Sequence, residues 1–400
     1  MVQDLLMIQD EKAREKENEK IIMDSLVSRL DGERCVAEIK KKDLAIHWGV
    51  SPSVVTDVFK RRTQMSFSYL SRTHDLLKKS DKSKANDISD YICAAKLENL
   101  QETMEYLALR GEFNILEKVI VKVKEKGNGE WAEVYELLSK RYTSKSDYVD
   151  LYKKIKEKEK QVKSIEMGIL IELILCQALY QCGNYKLIFT RLKDIKKNIN
   201  TISNRYIKKT FKIRLQDAIG VIALQRGEIE KSRKACLEVL KSCESDSTYR
   251  IAEITSLGKL GESYIFDLEN YAVAKNYLET AIKKIDLIPF CHGLEKKRKQ
   301  IMDTLNFLKV YHWKDVDGLE KELSGMELAY FLVKKGELLK AELVLLDLER
   351  ENDGLSDLQV FILALARNSD KELLKKSLRM CEENGNIFYS FLPKKELGLI

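Results

Sequence analysis

Ser53, Thr56 and Asp57, followed by the run Lys60, Arg61 and Arg62, are the side chains of this sequence best suited to chemistry with a ligand. Short hydroxyl and carboxylate groups can exchange hydrogen bonds with base edges in the major groove of duplex DNA. Three consecutive cations suit phosphate oxygens, which fix register more than they select sequence. Recognition of this kind needs a helix that turns these groups outward while its other face is held by a second helix.

Residues 41–62, KKDLAIHWGVSPSVVTDVFKRR, carry the pattern of such a pair. Leu44 and Ala45 face inward from the first helix, Gly49 makes the tight turn, and Val55, Val58 and Phe59 form the buried i, i+3, i+4 face of the second. A bulkier residue at Ala45 would push crossing helices apart, and a side chain at Gly49 would burden a turn that often needs positive φ. Ser51 stands where an N-cap accepts a backbone N–H, and Pro52 takes the first helical position, where its missing donor costs nothing. Ser51, Ser53, Thr56, Asp57, Lys60, Arg61 and Arg62 are thus the candidate DNA-binding set, with Lys40, Lys41 and Lys42 adding positive charge beside it. The pattern predicts a helix-turn-helix on a double-stranded DNA operator; the plainer alternative is a helical hairpin with a basic end.

The rest of the sequence points to an all-α protein. Only three prolines, Pro52, Pro289 and Pro393, interrupt 400 residues rich in Leu, Lys and Glu, and no β-branched run reads as a strand. The net charge of +7 is small beside 70 basic and 63 acidic residues, so most charges belong to solvated helix faces. Eight cysteines without CxxC spacing, among them Cys93, Cys176 and Cys236, read as small buried residues of a reducing, cytoplasmic setting. No membrane span is expected: the most apolar stretch, residues 169–179, holds Glu172 and Gln177 and is too short. The start of the chain lacks the plan of a signal peptide.

A long amphipathic helix is expected over residues 9–31, with Ile21, Ile22, Leu26 and Leu30 on its apolar face, and another begins in residues 63–75 with Phe67 and Leu70 inward. The polar stretch beginning KKSDKSKAND predicts a linker over residues 78–90, after a DNA-binding domain of residues 1–77. Beyond it, helical hairpins recur with turns at Gly111, Gly183, Gly227, Asn270 and Gly336. The turns at 183, 227 and 270 lie 44 and 43 residues apart, longer than a tetratricopeptide repeat but with the same logic of stacked pairs. Such pairs form a superhelix over residues 91–384 whose concave face suits an extended peptide, followed by a C-terminal segment of residues 385–400.

Catalytic signatures are missing. The sequence has no HExxH, Walker A, GxGxxG or GxSxG motif, and Gly258 with Gly261 lies inside a helical pattern without phosphate-cradling spacing. His47, His74, His292 and His312 are scattered without metal-ligand spacing, and the adjacent Cys291 and His292 are poorly placed to act as nucleophile and base. No enzyme activity, metal or cofactor is expected.

EWAEVYELLSKRY (130–142), SIEMGILIELILCQALYQCGNY (164–185), FKIRLQDAIGVIALQRGEIEKSRKAC (211–236), YRIAEITSLGKLGESYIFDLENYAVAKNYLETA (249–281) and FYSFLPKKELGLI (388–400) together resemble the arbitrium receptor (AimR) family. The resemblance implies a homodimeric transcription regulator of a temperate phage, governing lysogeny and silenced by a short signalling peptide imported by the host cell. It implies peptide contacts at Arg250, Gln225, Asn386 and Phe388. Val221 stands where the family has asparagine, and Met326 or Leu328 where it has a polar groove residue, which implies a different peptide or a different way of binding it. The tail after Pro393 is shorter than the segment that joins protomers in relatives. Arg250, opening a helix where its charge opposes the dipole, has the planar fork that grips a carboxylate or backbone carbonyls. The rival reading is a peptide-regulated module of the same repeat class whose N-terminal bundle grips a protein instead of DNA.

Overall fold

The computed structural model describes residues 2–145, 148–181, 185–352 and 354–400, and among them there are only α-helices, one 3-10 turn and connecting segments. In chain order the helices begin with α1 (Val2–Val36), α2 (Lys41–Trp48), α3 (Pro52–Phe59), α4 (Phe67–Leu76), α5 (Asp81–Ala94), α6 (Leu97–Arg110) and α7 (Phe113–Glu125). They continue with α8 (Gly129–Thr143), α9 (Tyr148–Glu159), α10 (Ile165–Gln181), α11 (Lys186–Ile199), α12 (Arg205–Gln225), α13 (Ile229–Ser245) and α14 (Arg250–Ser263). The last are α15 (Tyr271–Ile285), α16 (His292–His312), α17 (Gly325–Lys335), α18 (Leu338–Asn352), α19 (Asp357–Ala366), α20 (Lys371–Asn384) and α21 (Phe391–Glu396). Two compact units result: Met1–Ala108 with Glu112–Ser139, and Leu109–Gly111 with Lys140–Ile400.

In the N-terminal unit, Met23, Leu26, Val27 and Leu30 form the buried stripe of α1 at i, i+3, i+4 and i+7. Ile21, expected on that stripe, is 58% exposed, because it lies five residues from Leu26 and the helix has turned away by then. Leu44, Ala45 and Trp48 of α2 meet Val55, Val58 and Phe59 of α3 as expected, and all six are buried. Trp48 ties the pair to α4: its ring stacks on Tyr69 at 4.5 Å and its indole N–H donates to Thr73 Oγ1 at 3.0 Å.

The linker expected over residues 78–90 is instead occupied largely by α5, capped by Ser80, whose hydroxyl accepts from the Ser83 N–H. What overrides the polar composition is Asp87, 1% exposed, which accepts from Arg29 Nη2 at 2.7 Å, Lys79 Nζ at 2.5 Å and His74 Nε2 at 2.9 Å. The boundary expected at residue 77 is absent for the same reason, reinforced by Phe67, which meets Tyr91 of α5 and Tyr106 of α6 edge-on at 5.4 and 5.6 Å. Gln64 also caps α6, accepting from the Lys96 N–H at 2.8 Å and Asn99 Nδ2 at 2.6 Å. The first unit therefore runs through most of α8.

The C-terminal unit is a superhelix of paired helices. Helices α12, α14 and α16 start 45 and 42 residues apart, close to the spacing of the sequence turns. Gly111, Gly227 and Gly336 sit at hairpin turns with φ of +79°, +72° and +85°, and Asn270 caps α15; Gly183 lies outside the described residues. Gly261, which sequence alone could only exclude from phosphate binding, has a packing role. A Cβ there would stand 2.5 Å from Leu278 Cγ and 3.0 Å from the Ala274 carbonyl, so α14 and α15 approach as closely as glycine allows.

One buried carboxylate makes this unit sensitive to pH. Glu327 in the first turn of α17 is 8% exposed, and burial, with Asp303 nearby, pushes its carboxyl up to about 7. A carboxyl raised in the folded state binds more protons there than in the unfolded chain, so its contribution is present below the unfolded value and lost as pH rises through about 7. Glu327→Gln is therefore expected to gain about 2–3 kcal/mol of stability at pH 8 and little at pH 5, read from urea midpoints. An equal gain at both pH values would show that ionisation of Glu327 is not the cause.

Candidate functional site

Two regions, one in each unit, hold side chains arranged for recognition. The first is α3. Its inward face is the apolar set already described, and Ser53 and Lys60 are exposed while Thr56 and Asp57 are half-buried. Ser51 has the extended backbone of an N-cap, φ −73° and ψ 152°, but its hydroxyl pairs with Ser53 Oγ at 2.7 Å and does not cap the helix. Thr56 Oγ1 donates back to the Pro52 carbonyl at 3.0 Å, which leaves its lone pairs outward. Gly49 ends α2 at φ +71°, the turn its type anticipates.

The basic run divides. Lys60 caps the C-terminus of α3 and stays exposed. Arg61 turns back at φ +59° onto α1, lying 3.4 Å from the Asp24 carboxylate and donating to the Ser28 hydroxyl. Arg62 pairs with Asp57 at 3.2 Å. Lys60 thus stays exposed at the end of α3, whereas Arg61 holds that end against α1. Lys41 adds a cation beside α3, its ammonium 5.5 Å from the Phe59 ring centre.

The second region is a groove in the C-terminal unit. Helix α12 packs beside both α10 and α14, and α14 beside α16, where Gly258 admits Ile301. Helices α11, α13 and α15 complete the pairs from outside, so α10, α12, α14 and α16 line the concave face. Along it stand Gln177 and Tyr180, Arg214 and Asp217, Thr255, Lys259 and Glu262, and Lys297, with Arg141 from the end of α8. Apart from the buried Glu262, these are partly accessible although protein surrounds them, as expected deep in a cleft.

Their electrostatics are strongly perturbed. Lys259 Nζ donates to Tyr180 Oη at 2.8 Å and pairs with Glu262, which also accepts from Tyr389 Oη at 3.1 Å. Burial works against the Lys259 ammonium, but Glu262 and Tyr180 outweigh it and hold its pKa well above the ordinary lysine value. Asp217 shows the opposite balance: burial pushes its carboxyl up, and Lys297, Arg214, Arg141 and Lys259 only partly offset that. Burial pulls the Lys297 ammonium down, opposed by Asp217 and reinforced by Arg141 and Lys259. Lys297 Nζ donates to Thr255 Oγ1 at 2.6 Å.

The residues expected to touch peptide fall elsewhere. Gln225 ends α12, and its carbonyl accepts from the Phe388 N–H at 3.1 Å. Asn386 Nδ2 donates to Asp357 Oδ2 at 3.0 Å, and the Phe388 ring lies 4.9 Å from Phe266. Gln225, Asn386 and Phe388 are each at most 7% exposed, so they join the C-terminal segment to the stack and offer no open surface in this conformation. Arg250 opens α14, which runs parallel to α12 because α13 reverses between them. It therefore stands near the start of α12, as Ile213 beside Tyr249 and Ala252 shows, at the other end from Gln225.

Sequence reasoning missed Asp217, Lys259, Glu262 and Lys297 as a set. Their signal is faint: in α14, Lys259 and Glu262 are charges inside a stretch whose neighbours Leu257, Gly258, Leu260 and Gly261 are all buried. Among the scattered histidines, His74 binds Asp87, His292 lies 3.7 Å from Glu295, and His312 Nε2 lies 2.8 Å from the Ile265 carbonyl. No group of three or more potential metal ligands occurs among the described residues. No described helix is long and apolar enough to cross a membrane. Cys176 and Cys236 are buried as expected, but Cys93 is exposed near the end of α5.

Comparison with known proteins agrees with this architecture. An uncharacterised protein of Bacillus anthracis, pXO2-35, is 26% identical over 242 residues, covering 60% of this chain and 88% of its own. The ligand-bound structure of phAimR superposes with a TM-score of 0.66 at 17% identity, covering 84% of this chain and 98% of that one. A selenomethionine form of phAimR gives 0.61 at 18% identity, covering 94% and 96%. Residues 84–398 match the family described as AimR transcriptional regulator-like. With that match spanning most of the sequence and an all-helical fold of the same kind, the chain belongs to the AimR transcriptional regulator-like family.

Proposed function

We propose that this protein is a DNA-binding transcription regulator of a temperate phage or prophage, acting as a homodimer in the host cytoplasm. A short imported peptide, held in the polar groove of the C-terminal unit, switches it and so sets the choice between lysis and lysogeny. The observation that carries DNA binding is α3, whose Val55, Val58 and Phe59 are buried while Ser53, Thr56 and Lys60 remain available on the other side. Peptide control rests on the groove and on membership of a regulator family. The switch is a population shift: a peptide changes operator affinity only as far as it prefers one sensor state over the other.

Thr56→Ala combined with Lys60→Ala is expected to weaken operator binding by roughly 10- to 100-fold, one base-edge contact and one phosphate contact being lost. The phosphate share should lower the salt slope by about one. Mobility shifts over a salt series, with helical content checked by circular dichroism, read both. Unchanged binding by a folded variant would remove α3 as the reading helix.

A second reading has its own support. Arg61 and Arg62 are engaged by Asp24 and Asp57, which thins the phosphate-facing charge and leaves room for a protein partner at the same bundle. Duplex binding that does not fall with salt would favour that protein-interaction module.

A further inference from the structure

The groove holds polar atoms of charged side chains that the protein itself does not satisfy. Arg141 Nε and Nη1 and Asp217 Oδ1 are shielded from solvent and have no hydrogen-bond partner among the described residues. Shielding such groups without partners costs on the order of 1–3 kcal/mol each, and more when they are charged. Native interiors seldom accumulate several together without a use for them.

Packing brings these atoms to one place. Gly293, one turn before Lys297 on α16, lies against the backbone of Arg141 and Tyr142: a Cβ there would stand 2.7 Å from Tyr142 Cα and 3.2 Å from the Arg141 carbonyl. Lys297 reaches across to Thr255 of α14, the neighbour of α12 and hence of Asp217. The Arg141 guanidinium rests 4.8 Å from the centre of the Tyr142 ring, which holds its plane. With Glu262 already the partner of Lys259, Asp217 is one carboxylate among the cations Lys297, Arg214 and Arg141, so positive charge exceeds negative there.

We propose that this cluster is the specificity pocket of the groove and receives a carboxylate of the ligand peptide, with Arg141 and Lys297 as its donors. The inference rests on the peptide reading above and names the chemistry that the peptide must bring. Arg141 offers two unmade N–H donors, Nε on one edge of its guanidinium and Nη1 on the other, and either can make a charge-assisted hydrogen bond to a carboxylate oxygen. Asp217 Oδ1 is an acceptor and takes an amide N–H group that flanks such a carboxylate in a peptide. A carboxylate also neutralises the surplus positive charge, which an uncharged group would leave in place. The source is either the C-terminal α-carboxylate or an aspartate or glutamate side chain.

The test is a thermal-shift measurement on the full chain with short-peptide pools in matched forms. One form has free C-termini, a second is C-terminally amidated, and a third is amidated and lacks aspartate and glutamate. Stabilisation by the free-acid pools that disappears on amidation assigns the α-carboxylate; stabilisation that survives amidation but needs an acidic residue assigns a side chain. Either result supports the proposal. Arg141→Met and, separately, Lys297→Met should then weaken binding of the selected peptide by roughly tenfold to hundredfold, the range for a hydrogen bond to a charged group. Equal stabilisation by the third pool would overturn the carboxylate pocket while leaving peptide binding intact. Stabilisation by no pool would overturn it together with the peptide reading. The pool comparison needs no variant, so it decides even if a substitution disturbs folding.

Discussion

Asp87→Asn should destabilise the N-terminal unit by about 3–5 kcal/mol, the cost of removing one member of a buried ionic cluster and stranding the others. Asp87 is 1% exposed and serves Arg29 from α1, His74 from α4 and Lys79 from the segment before α5. Lys79 also pairs with Glu33 at 2.7 Å, and Arg29 with Asp90 at 2.7 Å, so the cluster joins three helices and their connection. Asparagine keeps the shape but surrenders the charge, leaving Lys79, 6% exposed, beside a neutral amide. Urea unfolding followed by the fluorescence of Trp48 and Trp131, both in this unit, would report the loss. A change under about 1 kcal/mol would mean that the surrounding apolar contacts, and not Asp87, hold α5 in place.

The same cluster sets a direction for pH. Burial alone would raise the Asp87 carboxyl, but hydrogen bonds from His74, Lys79 and Arg29 outweigh it and hold the group well below the usual carboxylate range. A carboxyl depressed in the folded state binds fewer protons there than in the unfolded chain. Its contribution is therefore complete above the ordinary aspartate value of about 4 and fades as pH falls below it. Acid should loosen the N-terminal unit through this site, and the asparagine variant should have lost that part of the acid sensitivity.

How far the sequence announced this structure depends on whether each feature is local. The helix-turn-helix was legible because α2, Gly49 and α3 are encoded within 22 residues, and each position has a steric reason that needs no distant partner. The hairpin turns at Gly111, Gly227, Asn270 and Gly336 were legible for the same cause. Residues 78–90 misled because their polarity was read without Asp87, whose partner Arg29 lies 58 residues away. The rotameric choices of Arg61 and Arg62 were also hidden, since Asp24 competes for Arg61 from α1. The groove was the least visible. Arg141, Asp217 and Lys297 come from three helices, and nothing in any one of them marks its charge as inward-facing.

Phe388→Ala offers the sharpest separation between a residue that builds the groove and one that touches its ligand. In this structure Phe388 is 4% exposed and belongs to an aromatic cluster on Phe266, with Phe391 stacked at 4.8 Å and Tyr389 edge-on at 5.9 Å. Removing a buried phenyl ring costs about 3–5 kcal/mol, so the C-terminal unit should lose that much stability. At roughly 2–4 °C per kcal/mol for a unit of this size, the thermal midpoint reported by Trp313 should fall by many degrees. The adjacent Tyr389 extends the consequence into the groove, because its hydroxyl donates to Glu262, the partner of Lys259. Loosening the segment should therefore weaken peptide binding as well, but only alongside the loss of stability. A variant with an unchanged midpoint and abolished peptide binding would instead return Phe388 to the role of a direct contact. It would also mean that the C-terminal segment leaves its seat on Phe266 when the peptide enters.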